Sequence, residues 1–281
     1  MPTTPSTKQS KISTPKPIIW LGVGVLAWLL LSVAASYIIR ANRGVISSEI
    51  ARIKSLPQSE QQAALQKLVI ATGNDQEASR ALANYYISRG DYALGASAYL
   101  AAQPELRLEA AQAYAKAYDF QKVSDLRRID TKSTKGDEWQ VLQQTATLNL
   151  NPTDLGICEN IGQQSAFDAL RNACDVLKNS QSSKEDVYAL VDNGFPLVAA
   201  NRLESQKAKS STDYLLIAQI YARKGETDRD LSTLEAGFQA VPYDKLFLTE
   251  SKLILEQLGG GDSIARLKEK VRMNLSLLPS Q

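Results

Sequence analysis

Apolar residues recur along this chain at intervals of three and four, in short runs punctuated by glycine, proline and asparagine. That is the helical period, and the alternation of a half-buried strand is nearly absent. The pattern predicts helices in pairs. Residues 46–55 and 59–72 form one hairpin broken at Pro57, with Ser59 and Gln62 as a capping box. Asn74 with Glu77 caps the next helix, within the segment Ala78 to Ala102. There Leu82, Ala83 and Tyr86 share one face, Gly90-Asp91 turns the chain, and Gly95, Tyr99 and Ala102 continue on a second helix. Small residues at Ala83 and Gly95 let the two helices approach closely. Further pairs are expected at 105–129, at 184–193 with 196–208, at 214–242, and at 245–258 with 262–277, and single helices at 137–149 and near 163–178.

One stretch breaks the pattern by being apolar on every side. Ile18 to Ile39, IIWLGVGVLAWLLLSVAASYII, has no charged residue and stops at Arg40. At about 1.5 Å per residue it matches the ~30 Å hydrocarbon core of a bilayer, and Trp20 and Tyr37 stand near its ends. A transmembrane helix is expected. Cleavage of a signal peptide at Val33-Ala34-Ala35 is the rival reading, opposed by the apolar run continuing to Ile39. Basic residues flank both ends (Lys8, Lys11 and Lys16; Arg40, Arg43, Arg52 and Lys54), so charge leaves the orientation open. The short tail favours a cytoplasmic N-terminus and an extracytoplasmic domain. The expected organisation is a disordered tail over 1–17, the span over 18–39, a juxtamembrane linker over 40–46 and a helical domain over 47–281.

Composition narrows the function. The 281 residues carry a formal net charge of +2, which gives no reason to expect nucleic acid. The chain has no histidine, so the commonest general base and transition-metal ligand is missing. Neither a cofactor nor a metal site is indicated. Cys158 and Cys174 fit neither a redox C-x-x-C nor a zinc pattern. A disulfide between them is expected if the domain is exported, and two free thiols if it is not. The Gly259-Gly260-Gly261 run lacks the lysine and spacing of a phosphate loop and reads as a turn. The basic cluster Arg266, Lys268, Lys270 and Arg272 reads as a solvated face.

The segments Ala78–Ala102 and Tyr214–Pro242 resemble a tetratricopeptide repeat. That family places L-G-x-x-Y in a first helix, a glycine turn, then a small residue, an aromatic and alanine in a second. Tyr214, Ile217, Ala218, Tyr221, Gly225, Gly237, Phe238 and Pro242 fall at the matching offsets of the later unit. It departs at Asp230, where a small apolar residue is expected, and at Leu234 in place of an aromatic. Residues 105–129 look like an eroded unit without the turn glycine. The resemblance implies an all-α fold in which a single N-terminal transmembrane helix precedes an α-solenoid of stacked hairpins. It also implies a groove lined by first helices. Carried over by position, its residues are Arg80, Asn84 and Ser88, then Gln112 and Lys116 from the eroded unit, then Leu215, Gln219 and Arg223. Arg80 with Asn84 offers donors for a carboxylate, or ordinary polar lining. The function so implied is a non-enzymatic, membrane-anchored scaffold or adaptor in an envelope assembly of secretion, pilus or chaperone type. It would bind a peptide or helix of a protein partner and no small molecule. The alternative is a carboxylate-based envelope enzyme or a wall-polymer-binding domain, which requires two convergent acids in a cleft.

Overall fold

The computed structural model describes residues 44–103, 105–126, 136–159, 161–179 and 182–278. The expected tail, the apolar span Ile18–Ile39 and the start of the linker lie outside the described residues. Among the described residues no helix is long and apolar enough to cross a membrane. They are all-α, with one isolated bridge between Asp75 and Gln103 as their only extended pairing. The chain divides into two compact units, Met1–Lys67 and Leu68–Gln281.

In the first unit, helix α1 over 44–54 buries Ile46, Ile50 and Ile53, a stripe at helical spacing. The Gln61 side chain donates to the carbonyls of Lys54 and Leu56 at 3.2 and 2.9 Å, satisfying acceptors left open at the end of α1. Helix α2 runs Gln58–Ala71. Ser59 therefore lies inside its first turn and is not the N-cap, because Pro57 already breaks the chain one residue earlier.

The second unit is a series of helices: α3 (Gln76–Ser88), α4 (Tyr92–Ala101), α5 (Arg107–Lys116), α6 (Phe120–Asp125) and α7 (Gly136–Leu150). Two 3₁₀ turns, Leu155–Glu159 and Ser165–Phe167, lead to α8 (Asp168–Lys178). Then come α9 (Lys184–Asp192), α10 (Pro196–Glu204), α11 (Ser211–Lys224), α12 (Thr227–Ala240), α13 (Lys245–Gln257) and α14 (Asp262–Ser276). Helices α3 and α4, α5 and α6, α9 and α10, α11 and α12, and α13 and α14 pack as hairpins.

Local chemistry explains the boundaries. Asp75, not Asn74, caps α3, accepting from the amides of Glu77 and Ala78 at 2.8 and 3.3 Å. Asn74 instead takes a left-handed φ of 62°, which its short polar side chain tolerates. Ser183 with Asp186 and Ser210 with Asp213 form reciprocal capping boxes at α9 and α11. Gly90 and Gly225 turn their hairpins with φ of 84° and 81°. The α5–α6 turn has no glycine, and Tyr118 supplies the positive φ, 60°. That conformation is costly for a bulky residue.

Close approach follows the small residues. A Cβ added at Gly95 would stand 2.6 Å from Ile87 Cγ1 and 3.1 Å from the Ala83 carbonyl. One at Gly237 would strike the Phe247 ring and lie 3.2 Å from Tyr214 Cβ. Among the described residues the core forms three clusters. The first joins α3–α7 around Tyr99, Tyr114, Phe120 and Trp139. The second spans α7–α11 around Phe167, Leu170 and Phe195. The third joins α11–α14 around Phe238, Phe247 and Leu267. Helix α7 gives Ala146 to the first cluster and Leu148 to the second. Helix α11 gives Ile217, Ile220 and Tyr221 to the second and Leu215 and Ala218 to the third. A disulfide joins Cys158 to Cys174 with Cα atoms 5.7 Å apart, tying the first 3₁₀ turn to α8.

Candidate binding surface

Helix α11 is buried on two sides, which leaves a narrow exposed strip bearing Gln219 and Arg223, one turn apart. Two cavities open along this strip. One, of about 720 Å³, lies between the C-terminal ends of α5 and α9, the middle of α7 and the strip itself. Leu142, Val191, Leu216 and Ile220 give it apolar walls, and Lys116, Asp192 and Gln219 give it polar ones. The other, of about 420 Å³, lies between α11 and α13, with Leu253 and Ile254 beside Glu250 and Gln257. Gln219 and Arg223 line both.

The wall made by the α9–α10 turn is held from behind. Asn149 of α7 donates to the Gly194 carbonyl at 3.0 Å and accepts from the Leu197 amide at 3.0 Å. This fixes the Asn193-Gly194 turn at the cavity rim. Asp213, fully buried at the start of α11, ties that helix to α9. Its carboxylate accepts from Lys184 Nζ (2.6 Å), the Tyr188 hydroxyl (2.7 Å) and the Ser210 amide and hydroxyl (2.6 and 2.8 Å). Burial alone would raise this carboxyl. The bonds from Lys184, Tyr188 and Ser210 outweigh it and hold the group below its ordinary value.

Arg223 is committed within the fold. Its Nε donates to the Lys116 carbonyl at 2.8 Å and its Nη1 to the Tyr118 hydroxyl at 3.4 Å. Its guanidinium carbon stands 5.0 Å from the Tyr92 ring centre and 4.6 Å from that of Tyr118. It therefore caps the C-terminal end of α5, where helix carbonyls favour a cation.

Of the sequence-predicted groove residues, the structure brings together Lys116, Gln219 and Arg223. Leu215 is a correction: it is 5 % exposed, packed in the third core, and the adjacent Leu216 faces the cavity instead. Arg80, Asn84, Ser88 and Gln112 are exposed but line neither cavity. Arg80 pairs with Glu109 at 3.5 Å, and Asn84 Oδ1 accepts the Tyr99 hydroxyl at 2.7 Å, so both of the expected carboxylate donors are engaged. Ser88 donates to the Tyr85 carbonyl of its own helix. Sequence reading did not reach Tyr118, Leu142, Thr145 or Asp192, which come from elements whose repeat pattern is weak. Each cavity is lined by one carboxylate, Asp192 in the first and Glu250 in the second. Among the described residues no group of three or more His, Cys, Asp and Glu is placed to hold a metal ion. No family model, no curated protein and no solved structure matches the chain.

Proposed function

We propose that this is a membrane-tethered scaffold whose tetratricopeptide-like hairpins bind a segment of a protein partner along the exposed strip of α11. The observation that carries this reading is the pair of cavities sharing Gln219 and Arg223. Their walls come largely from α5, α9, α11 and α13, each the first helix of its hairpin, which is how a stacked-hairpin groove is built. Mixed apolar and polar lining suits a peptide or helix bound by side-chain insertion. Attachment rests on Ile18–Ile39, and the disulfide favours an oxidising, extracytoplasmic setting for the domain. The role is assembly without a reaction of its own.

A photo-reactive residue placed at Gln219 in the full chain tests the groove, with the same probe at Gln239, exposed on α12, as the reference. The expected result is a discrete cross-linked adduct from position 219 and none from 239, with the adduct weakened by Lys116→Ala. Equal labelling at the two positions, or none at 219, would overturn the reading. An impermeant thiol reagent applied to intact cells before and after reduction tests the compartment. Labelling only after reduction is expected.

A further inference from the structure

Two aspartates of the α11–α12 hairpin are fully buried, and their surroundings differ completely. Asp213 is met by Lys184, Tyr188 and Ser210. Asp230, on α12, has no hydrogen-bond partner for either carboxylate oxygen among the described residues. It occupies the position where the repeat pattern calls for a small apolar residue, and its side chain shares a face with Leu234, Gly237 and Phe238, all buried.

Among the described residues Asp230 also has no cation to neutralise it. Gly237 lies against Tyr214, so Asp230, two turns earlier, faces the other end of α11, toward Tyr221. The Tyr221 hydroxyl donates to Glu204 at 2.9 Å. Arg229 is bound to both Glu204 oxygens at 3.2 and 3.1 Å, and its guanidinium lies over the Tyr221 ring. Lys224 pairs with Glu226, and Arg223 is held at Lys116 and Tyr118. Helix α13, packed on α12 through Phe247, pairs its Lys252 with Glu256, and helix α14 gives Arg266 to Glu235 and Lys270 to the Phe238 ring. The remaining charges of α14 are Lys268, bonded to the Gly259 carbonyl, the Glu269–Arg272 pair, and Asp262 at its start. Each of these cations has a partner other than Asp230.

We infer that Asp230 is a proton-controlled latch: with its carboxyl neutral α12 packs on α11 as described, and with it ionised the hairpin loosens along the start of α12. An ionised carboxylate without a partner is among the most costly groups to bury. Burial accordingly raises the Asp230 carboxyl from 3.8 to about 7. Because the opened hairpin would titrate near the ordinary value, the closed form holds an extra proton between the two values. Closure therefore weakens as pH rises through that window. The chain has no histidine, and its two cysteines are bridged. No other side chain among the described residues is shifted into the same range, so a response between pH 5.5 and 8.5 isolates Asp230. Since the far face of α11 carries Gln219 and Arg223, loosening would reach the cavities, although the latch stands whether or not they bind a partner.

Amide hydrogen exchange across 211–240 in the full chain, held in detergent micelles and corrected for intrinsic exchange rates, tests this. Opening at pH 8.5 should exceed that at pH 5.5 by about tenfold or more in the native chain. Asp230→Ala should show equal opening at both values. Native exchange independent of pH would overturn the latch, and so would a dependence that persists in Asp230→Ala. Failure of Asp230→Ala to fold at either pH would overturn it as well, by making the carboxylate a structural requirement. Asp230→Asn, which keeps the shape without the charge, should follow the alanine variant in losing the pH response.

Discussion

The Arg223 guanidinium donates to the main-chain carbonyl of Lys116 at 2.8 Å, joining residues 107 positions apart in the chain. The same guanidinium covers the ring of Tyr118, the residue that turns α5 into α6 at a φ of 60°. A bulky side chain in that conformation is held by its neighbours, here Arg223 on one side and the parallel ring of Phe120, 6.4 Å away, on another. Arg223→Ala should therefore lower stability by about 1–3 kcal/mol in urea denaturation. Arg223→Lys should recover little, since an ammonium lacks the planar fork that bonds and stacks together. Full recovery by lysine would show that charge alone matters.

Asp213 is the contrasting case of a buried charge with every partner present. Asp213→Asn should cost about 2–4 kcal/mol by leaving Lys184 and the capping box short of an acceptor. Its native pKa is lowered, so its contribution is intact above about pH 4, the ordinary carboxylate value, and is lost as pH falls through the lower native value. Acid titration of the helical circular dichroism should show a steeper fall for the native chain than for Asp213→Asn.

Gly237 has an ordinary negative φ, so alanine there would meet a steric penalty and no backbone one. Gly237→Ala should destabilise by about 1–3 kcal/mol, because the rigid Phe247 ring occupies the space the methyl needs. The double variant Gly237→Ala with Phe247→Leu should show a smaller loss than the two single losses added together. Strict additivity would separate the two residues.

The Cys158–Cys174 bridge closes a loop of sequence separation 16. Replacing both by serine should cost about 3 kcal/mol, measured by thermal unfolding under non-reducing conditions.

The hairpins legible in the sequence were those marked by glycine and small side chains. Gly90 with Gly95, and Gly225 with Gly237, announce a turn and a close crossing through what they lack. The α5–α6 hairpin also forms, with a shorter second helix, but its turn residue is Tyr118. Nothing local distinguishes a tyrosine that will adopt positive φ, since the groups that hold it there include Arg223 from the far end of the chain. The caps slipped for a similar reason. Asn74 and Asp75 are both good capping residues, and only the backbone decides which one sits at the helix start. The lining of the first cavity was partly legible. Lys116, Gln219 and Arg223 followed from repeat position, whereas Leu215 did not. A one-sided amphipathic pattern cannot foresee that α11 is buried against two cores, which leaves Gln219 and Arg223 on its exposed strip. Arg80 and Asn84 of the Ala78–Ala102 segment sit at the expected helical positions, but Glu109 and the Tyr99 hydroxyl claim them.

That α7 and α11 each serve two cores bears on how such a chain can change over time. In an array of self-contained repeats, a unit can be deleted or duplicated and its neighbours simply close up. Here excision of α9 and α10 would strip Ile217, Ile220 and Tyr221 of their cover and leave Leu148 facing solvent, so the gain or loss of whole units is barred in the middle of the domain. Helix α14 is freer, because it contributes to the third core alone. Variation in length should therefore accumulate after α13, and variation in the interior should proceed by single substitutions.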